Sequence, residues 1–189
     1  MDSNPSAIPE LNAFRDYLTI LARGQIPASM QARLDASDIV QETLLEAHRK
    51  RHQFQGGNEP RQLAGWLRQL LSCNLIDALR TQRRDQRDVR REQTIQFNLE
   101  ESAIGLEQML VADDTSPSQK FENRFRAMQI AQAIEELPEQ QRDAILLRYF
   151  QKSSLQDIAE QMQKSTSAAA GLLKRGLASL RDRLQKDDV

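Results

Sequence analysis

The sequence is poor in the residues that build disulfides, tight turns and aromatic cores. Its 189 residues include one cysteine, 7 glycines and 6 prolines, and only 5% are aromatic. A single cysteine cannot form an internal disulfide and is typical of a reducing compartment, so we expect a cytoplasmic protein. The sequence also lacks an apolar run of the roughly 20 residues that a membrane-spanning helix needs, and a secretory signal pattern, so no membrane span is expected.

The abundant residues favour helices. Leu, Ala, Gln, Arg and Glu recur throughout, and all are good helix formers, so the sequence predicts an all-α fold. Charge is segregated along the chain, although the net charge is only −1. Residues 61–97 hold eight Arg against four acidic residues, whereas residues 98–123 hold one Lys against six. The basic segment is compatible with a polyanionic partner.

Apolar residues at spacings of three and four predict three helices in the N-terminal half. The first opens at Pro9 and the third at Pro60, because proline is favoured in the first helical turn. The second follows Asp35, whose side chain can accept hydrogen bonds from free backbone amides. These helices predict a small domain over residues 8–92.

The next segment has a different composition. Residues 93–118 are acidic, end in a Ser/Pro cluster and carry scattered apolar residues. We interpret them as a flexible linker whose docking residues are Ile104, Leu106, Met109 and Leu110. Helical periodicity resumes after Pro117 and predicts a second domain over residues 119–186. The expected architecture is two small helical domains joined by an acidic linker.

The stretch LQDIAEQMQKSTSAAAGLLKRGLASLRDRL, residues 155–184, predicts two helices around a short turn. Ser153 or Ser154 can cap the first helix, and Ala159 is small enough for a close helix crossing. The pattern fits a helix-turn-helix DNA reader, and an ordinary helical hairpin fits the periodicity equally well.

If the second helix enters a major groove, its first turns face the DNA. Hydroxyl and basic groups there can bind phosphates or a guanine edge, and small side chains allow close approach. These candidates are Ser165, Thr166, Ser167, Ala170, Lys174 and Arg175. Leu172 is expected to face outward beside Gly171, and Arg, Asn and Gln are missing from the tip. We therefore expect groove binding with weak base discrimination.

Two polar patterns in the N-terminal half go beyond packing. One is a ridge on adjacent helical turns that can dock another helix or simply face solvent: Asp38, Gln41, Glu42 and Leu45. The other is the loop QFQGGNEP with the helix after it, whose amide and basic groups suit an unpaired nucleic-acid strand. Its candidate residues are Gln55, Asn58, Arg61, Arg68, Asn74, Asp77, Arg80, Arg83 and Arg84.

In order and spacing, these motifs resemble the extracytoplasmic-function (ECF) class of bacterial sigma factors over nearly the whole chain. DIVQETLLEAHRKRHQF resembles the helix that holds the polymerase clamp. RQLAGWLRQLLSCNLIDALR resembles the segment that melts and reads the minus-ten element. LPEQQRDAILLRYFQKSSLQDIAEQM resembles the fourth sigma domain, which binds the minus-thirty-five element. RDVRRE and DDTSPSQ are similar to a subgroup frequent in planctomycetes.

The resemblance implies an alternative sigma factor that binds core RNA polymerase and promoter DNA and directs initiation. It assigns the ridge to the clamp, the loop and its helix to the minus-ten element, and the helix-turn-helix tip to the minus-thirty-five element. It also places Trp66 as support beneath the loop, and Leu146, Tyr149 and Phe150 near the polymerase flap. Regulation is expected from an anti-sigma factor or from control of the chain's own expression.

Enzymatic and metal sites have little support in the sequence. Catalytic Ser/His/Asp sets, phosphate-binding glycine loops and paired carboxylates are missing, so we expect no enzyme and no cofactor. His48 and His52 are four residues apart, but further zinc ligands are lacking, so no metal site is expected. Cys73, between Leu71 and Leu75, is predicted to be buried.

Two other functions compete with the sigma interpretation. One is a helical adaptor or regulator that binds polymerase or a sigma partner without directing initiation, which the alanine-rich tip favours. The other is a helix-turn-helix repressor. It needs a dimer to read a two-fold operator, and it leaves the ridge without a role.

Overall fold

The structure is a computed structural model that describes residues 11–55, 60–83, 89–108 and 123–187. Regular structure in these ranges is helical, which confirms the all-α prediction. The helices are α1 (Arg15–Gln25), α2 (Ala36–Arg49), α3 (Pro60–Arg83), α4 (Val89–Gln108), α5 (Asn123–Glu135), α6 (Glu139–Ile145), α7 (Leu155–Gln161) and α8 (Thr166–Asp187). Short 3-10 turns cover Ala28–Met30 and Arg51–Gln53, and α6 continues into a π-helical turn, Leu146–Phe150.

Helix boundaries follow the capping residues that the sequence indicates. The side chain of Asp35 accepts a hydrogen bond from the amide of Ser37 at 2.8 Å and caps α2. Ser154 and Asp157 form a reciprocal capping box at the start of α7. Such caps satisfy backbone amides that have no partner within the helix. α1 begins at Arg15, and Pro9 lies outside the described residues.

Apolar stripes bring α1, α2 and α3 together. Leu18 and Leu21 of α1, Val40 of α2, and Leu67 and Leu71 of α3 are fully buried in one core. Each such side chain contributes about 1.5–3 kcal/mol when it leaves water.

Two side chains of α3 flank this stripe. Cys73 is exposed, so the prediction that it is buried is wrong. It lies two residues from both Leu71 and Leu75, which turns it away from the buried face. Trp66 packs against Phe54, with ring centroids 5.2 Å apart, beside the start of the predicted DNA-binding loop.

Helix α4 occupies a segment for which the sequence predicts a flexible linker. That prediction is wrong for residues 93–108, because α4 is an amphipathic helix in the core. Of the four predicted docking residues, Leu106 is buried and Ile104 is exposed, whereas Met109 and Leu110 lie outside the described residues. The buried stripe of α4 consists of Ile95, Leu99, Ala103 and Leu106.

The same core extends into the C-terminal helices. Ile130 and Ile134 of α5 and Leu180 of α8 are fully buried in the cluster that contains Leu18 and Leu71. A second, smaller cluster closes the helix-turn-helix and consists of Ala144, Leu147, Ile158, Ala159, Ala169 and Leu172. The described helices thus form one continuous body around α1.

Candidate polymerase- and DNA-binding surfaces

The predicted docking ridge lies on the outer face of α2. Asp38, Gln41 and Glu42 are exposed, and Leu45 is 45% exposed despite its apolar side chain. Their spacing of three and four residues places them on one face, because a helix turns once in 3.6 residues. The opposite face packs into the core through Ile39, Val40, Thr43, Leu44 and Ala47. The ridge is an acidic and amide surface with one apolar residue at its end.

Arg68, predicted to contact DNA, is engaged inside the protein. Its Nε and Nη2 donate to the two carboxylate oxygens of Glu100 in α4, at 3.0 and 2.8 Å. Its Nη1 donates to the hydroxyl of Tyr17 in α1 at 2.9 Å, and its side chain is only 15% exposed. Arg68 therefore ties three helices together and does not offer its guanidinium to a nucleic acid.

The ionisation of Arg68 follows from this environment. Burial acts to lower the pKa of Arg68, but the hydrogen-bonded Glu100 and Tyr17 more than offset burial and raise it. Glu100 and Tyr17 did not emerge from the sequence as functional positions. Glu100 is 32 residues from Arg68, so local pattern gives no signal for the pair.

Asn74 also has protein partners. Its Nδ2 donates to Thr43 Oγ1 at 3.1 Å and to Glu46 Oε2 at 3.0 Å, and both acceptors belong to α2. The other oxygen of Glu46 pairs with Lys50 at 2.5 Å. The amide of Asn74 thus joins the ridge helix to α3 and holds the two at a defined orientation.

The remaining candidates of the minus-ten group are divided. Asp77 is exposed and pairs with Arg80 at 3.3 Å on the outer surface of α3, and Gln55 is exposed before the helix. The structure brings Asp77 and Arg80 together on one surface. Arg61 and Arg83 belong to α3, but their side chains are outside the described residues, as are Asn58 and Arg84 altogether.

Helices α7 and α8 form the helix-turn-helix that the sequence predicts. Ala159 and Ala169 are buried where the helices cross, which allows a close approach. Gln163 has a φ of 53° in the turn between them, and Lys164 donates its amide to the carbonyl of Ala159 at 2.8 Å. These contacts define how the N-terminus of α8 projects from the body.

The tip of α8 presents the small polar groups expected there. Ser165 caps the helix by accepting from the amide of Ala168 at 3.2 Å. Thr166, Ser167, Lys174 and Arg175 are exposed, whereas Ala170 is half-buried. A helix N-terminus with free hydroxyls and nearby cations attracts phosphate.

Leu172 corrects the sequence prediction for this helix. It was expected to face outward, but it is only 7% exposed and packs in the cluster with Leu147 and Ile158. Its position, three residues after Ala169, puts it on the inner face of α8. Leu172 therefore belongs to the frame of the helix-turn-helix and leaves the outer face more polar than predicted.

Membrane and metal binding were also examined in the described ranges. The helices there include none that is long and apolar enough to cross a membrane. The same part of the chain has no cluster of three or more His, Cys, Asp or Glu side chains arranged to hold a metal ion. His48 and His52 are both exposed.

Comparison with known proteins identifies the C-terminal half. Residues 127–180 match the family described as Sigma-70, region 4, and this range runs from α5 into α8. The chain is also similar to RNA polymerase sigma factor SigV of Bacillus subtilis (strain 168). The two are 27% identical over 155 residues, which cover 82% of this chain and 79% of that protein.

The helix-turn-helix and its matched region define a DNA-binding protein of the sigma class. The two comparisons together support an alternative sigma factor of the extracytoplasmic-function type, which directs the initiation of transcription.

Proposed function

We propose that this chain binds core RNA polymerase through the ridge on α2 and directs it to promoters. The observation that carries the proposal is the exposure of Asp38, Gln41, Glu42 and Leu45 on one face, together with a region 4 helix-turn-helix in the same chain. A charge-rich surface with one apolar residue suits a docking helix on a large partner, since charge steers the encounter. This face takes the polymerase clamp, and the π-helical turn at Tyr149 lies near the flap.

The outer surface of α3 and the loop before it receive the minus-ten element. Asp77 and Arg80 are the described residues that supply this surface, with Gln55 at the start of the loop. Asn58, Arg61, Arg83 and Arg84 complete the proposed set. Arg68 and Asn74 act here by positioning α3, because their polar groups are already bonded to other helices.

The tip of α8 receives the minus-thirty-five element. Its hydroxyls and the cations of Lys174 and Arg175 favour phosphate contacts, which position a protein without reading sequence. The alanine-rich surface offers methyl contacts to thymine and little else. Upstream specificity is therefore weak, and the N-terminal helices carry most of the promoter choice.

Further elements of the proposal follow from the sigma class. The chain divides functionally into residues 8–92, 93–118 and 119–186, acts in the cytoplasm, and works by binding and not by catalysis. RDVRRE and DDTSPSQ place it in a subgroup frequent in planctomycetes. An anti-sigma factor is a candidate regulator.

The test is run-off transcription from a genomic fragment library with core polymerase, with and without the protein. Transcript starts are then sequenced. Starts that appear only with the protein and share upstream elements support the proposal. Replacing Lys174 and Arg175 by Gln should weaken initiation similarly at all such promoters, because phosphate contacts do not depend on sequence.

The second candidate is an adaptor that binds polymerase without directing initiation. The lack of base-reading side chains at the α8 tip favours it. Binding to core polymerase without any new transcript start would establish the adaptor in place of the sigma factor.

A further inference from the structure

Gly24 of α1 makes the closest contact between the two halves of the chain. Gly24 is buried, and a Cβ built on it would lie 2.8 Å from Cβ and 2.9 Å from Cδ1 of Phe150. Phe150 ends the π-helical turn within the region matched to sigma region 4. Atoms joined by contacts this short cannot accommodate a methyl group unless one helix moves, since core packing leaves little free space.

Ion pairs surround this contact on both sides. Arg23 of α1 pairs with Glu135 of α5 at 3.0 Å, and Arg142 of α6 approaches the same oxygen at 3.6 Å. On the other side, Lys152 pairs with Glu101 of α4 at 2.5 Å. We call the contacts Gly24–Phe150, Arg23–Glu135 and Lys152–Glu101 the joint.

The joint is incompatible with simultaneous contact at both promoter elements. The minus-ten and minus-thirty-five elements lie about 25 base pairs apart, which is roughly 85 Å along a straight duplex at about 3.4 Å per base pair. A compact chain of 189 residues has a radius of gyration of about 16 Å. With the joint intact, the surfaces on α3 and α8 cannot span that distance.

We propose that the joint is an intramolecular lock that holds the free chain in a form unable to engage a promoter, and that it opens on initiation. This inference rests on the proposed function. A lock of this kind reduces the apparent affinity for the partner by the fraction of molecules that are open. Glycine at position 24 is what permits the close fit, because any larger side chain would hold the two helices apart.

The first experiment couples the joint covalently. A carbodiimide condenses the amine of Lys152 with the carboxylate of Glu101 into an amide, and peptide mass spectrometry measures the yield. The K152R variant, whose guanidinium is not coupled, controls for modification at other carboxylates. We expect coupled wild-type protein to lose promoter-specific transcription in proportion to the Lys152–Glu101 link, while treated K152R retains it. A linked fraction that transcribes as well as the unlinked fraction overturns the proposal.

The second experiment opens the joint by substitution. G24A is compared with G105A, a control in α4, because a Cβ at Gly105 meets nothing within 4 Å. We expect G24A to bind core polymerase with a several-fold lower Kd and to exchange its α5 amides faster, with G105A unchanged in both. A folded G24A with equal or weaker binding contradicts the lock. If untreated wild type yields no transcripts at all, the proposed function fails, and the lock fails with it as a device for initiation.

Discussion

Arg68 and Glu100, 32 residues apart in the sequence, form a two-pronged ion pair between α3 and α4. The same guanidinium reaches the hydroxyl of Tyr17 in α1. Because a single side chain holds three helices, and because it is mostly shielded from water, its pairing matters more than that of a surface ion pair.

Removing the carboxylate should therefore destabilise the protein. We expect E100A to lower the free energy of unfolding by about 1.5–3 kcal/mol, the range for a hydrogen bond to a charged group. Urea denaturation followed by circular dichroism measures it. E160A removes an exposed carboxylate from α7 and should change stability by less than about 0.5 kcal/mol. Equal stability of E100A and E160A would show that the pair contributes nothing.

Asn74 provides a prediction about pH. The hydrogen bond from Lys50 lowers the pKa of Glu46, against the opposing effect of burial, and the hydrogen bond from Asn74 adds to the lowering. In wild type this stability is present above the unfolded pKa and is lost as pH falls through the folded pKa.

The N74D variant should reverse that dependence locally. Its new carboxylate faces Glu46 in place of a donor, which raises the folded pKa of both groups. The stability deficit relative to wild type should be largest above about pH 5 and shrink as the carboxylates are protonated at lower pH. Thermal melting of N74D and N74S from pH 3 to pH 7 checks this. A deficit that is independent of pH, or equal in both variants, contradicts it.

Leu172 should behave as a core residue and not as a DNA contact. We expect L172A to destabilise the helix-turn-helix by about 2–5 kcal/mol, because it leaves a cavity beside Leu147 and Ile158. L172M should retain both stability and DNA binding, and A168S, on the exposed tip, should leave stability unchanged. Loss of DNA binding in a fully stable L172M would return Leu172 to the DNA-facing surface.

The ridge on α2 is tested by charge reversal. We expect D38R/E42R to abolish binding to core polymerase while circular dichroism and melting temperature stay close to wild type, because both side chains are exposed. The matched control is E160R/D182R, which reverses two exposed acids on α7 and α8. Unchanged polymerase affinity of D38R/E42R would remove the basis for the sigma interpretation of this face.

Local pattern determined much of the secondary structure of this protein. Asp35 and Ser154 mark helix starts because a side-chain oxygen beside free amides acts within three residues of sequence. The leucine stripes of α1 and α3 predict which faces are buried, since helical periodicity alone places those side chains together. The helix-turn-helix and the exposed ridge on α2 follow from the same short-range rules.

Tertiary structure decided what those helices do with their polar groups and how they pack together. Arg68 and Asn74 have the chemistry of DNA contacts, but partners 32, 31 and 28 residues away occupy them. Residues 93–108 have the composition of a linker, yet the groove beside α1 and α3 buries one stripe of them as a helix. Leu172 turned inward because Leu147 and Ile158 offered a cavity for it. Each outcome depends on contacts between distant segments, whose free energy of burial and pairing outweighs the local preference.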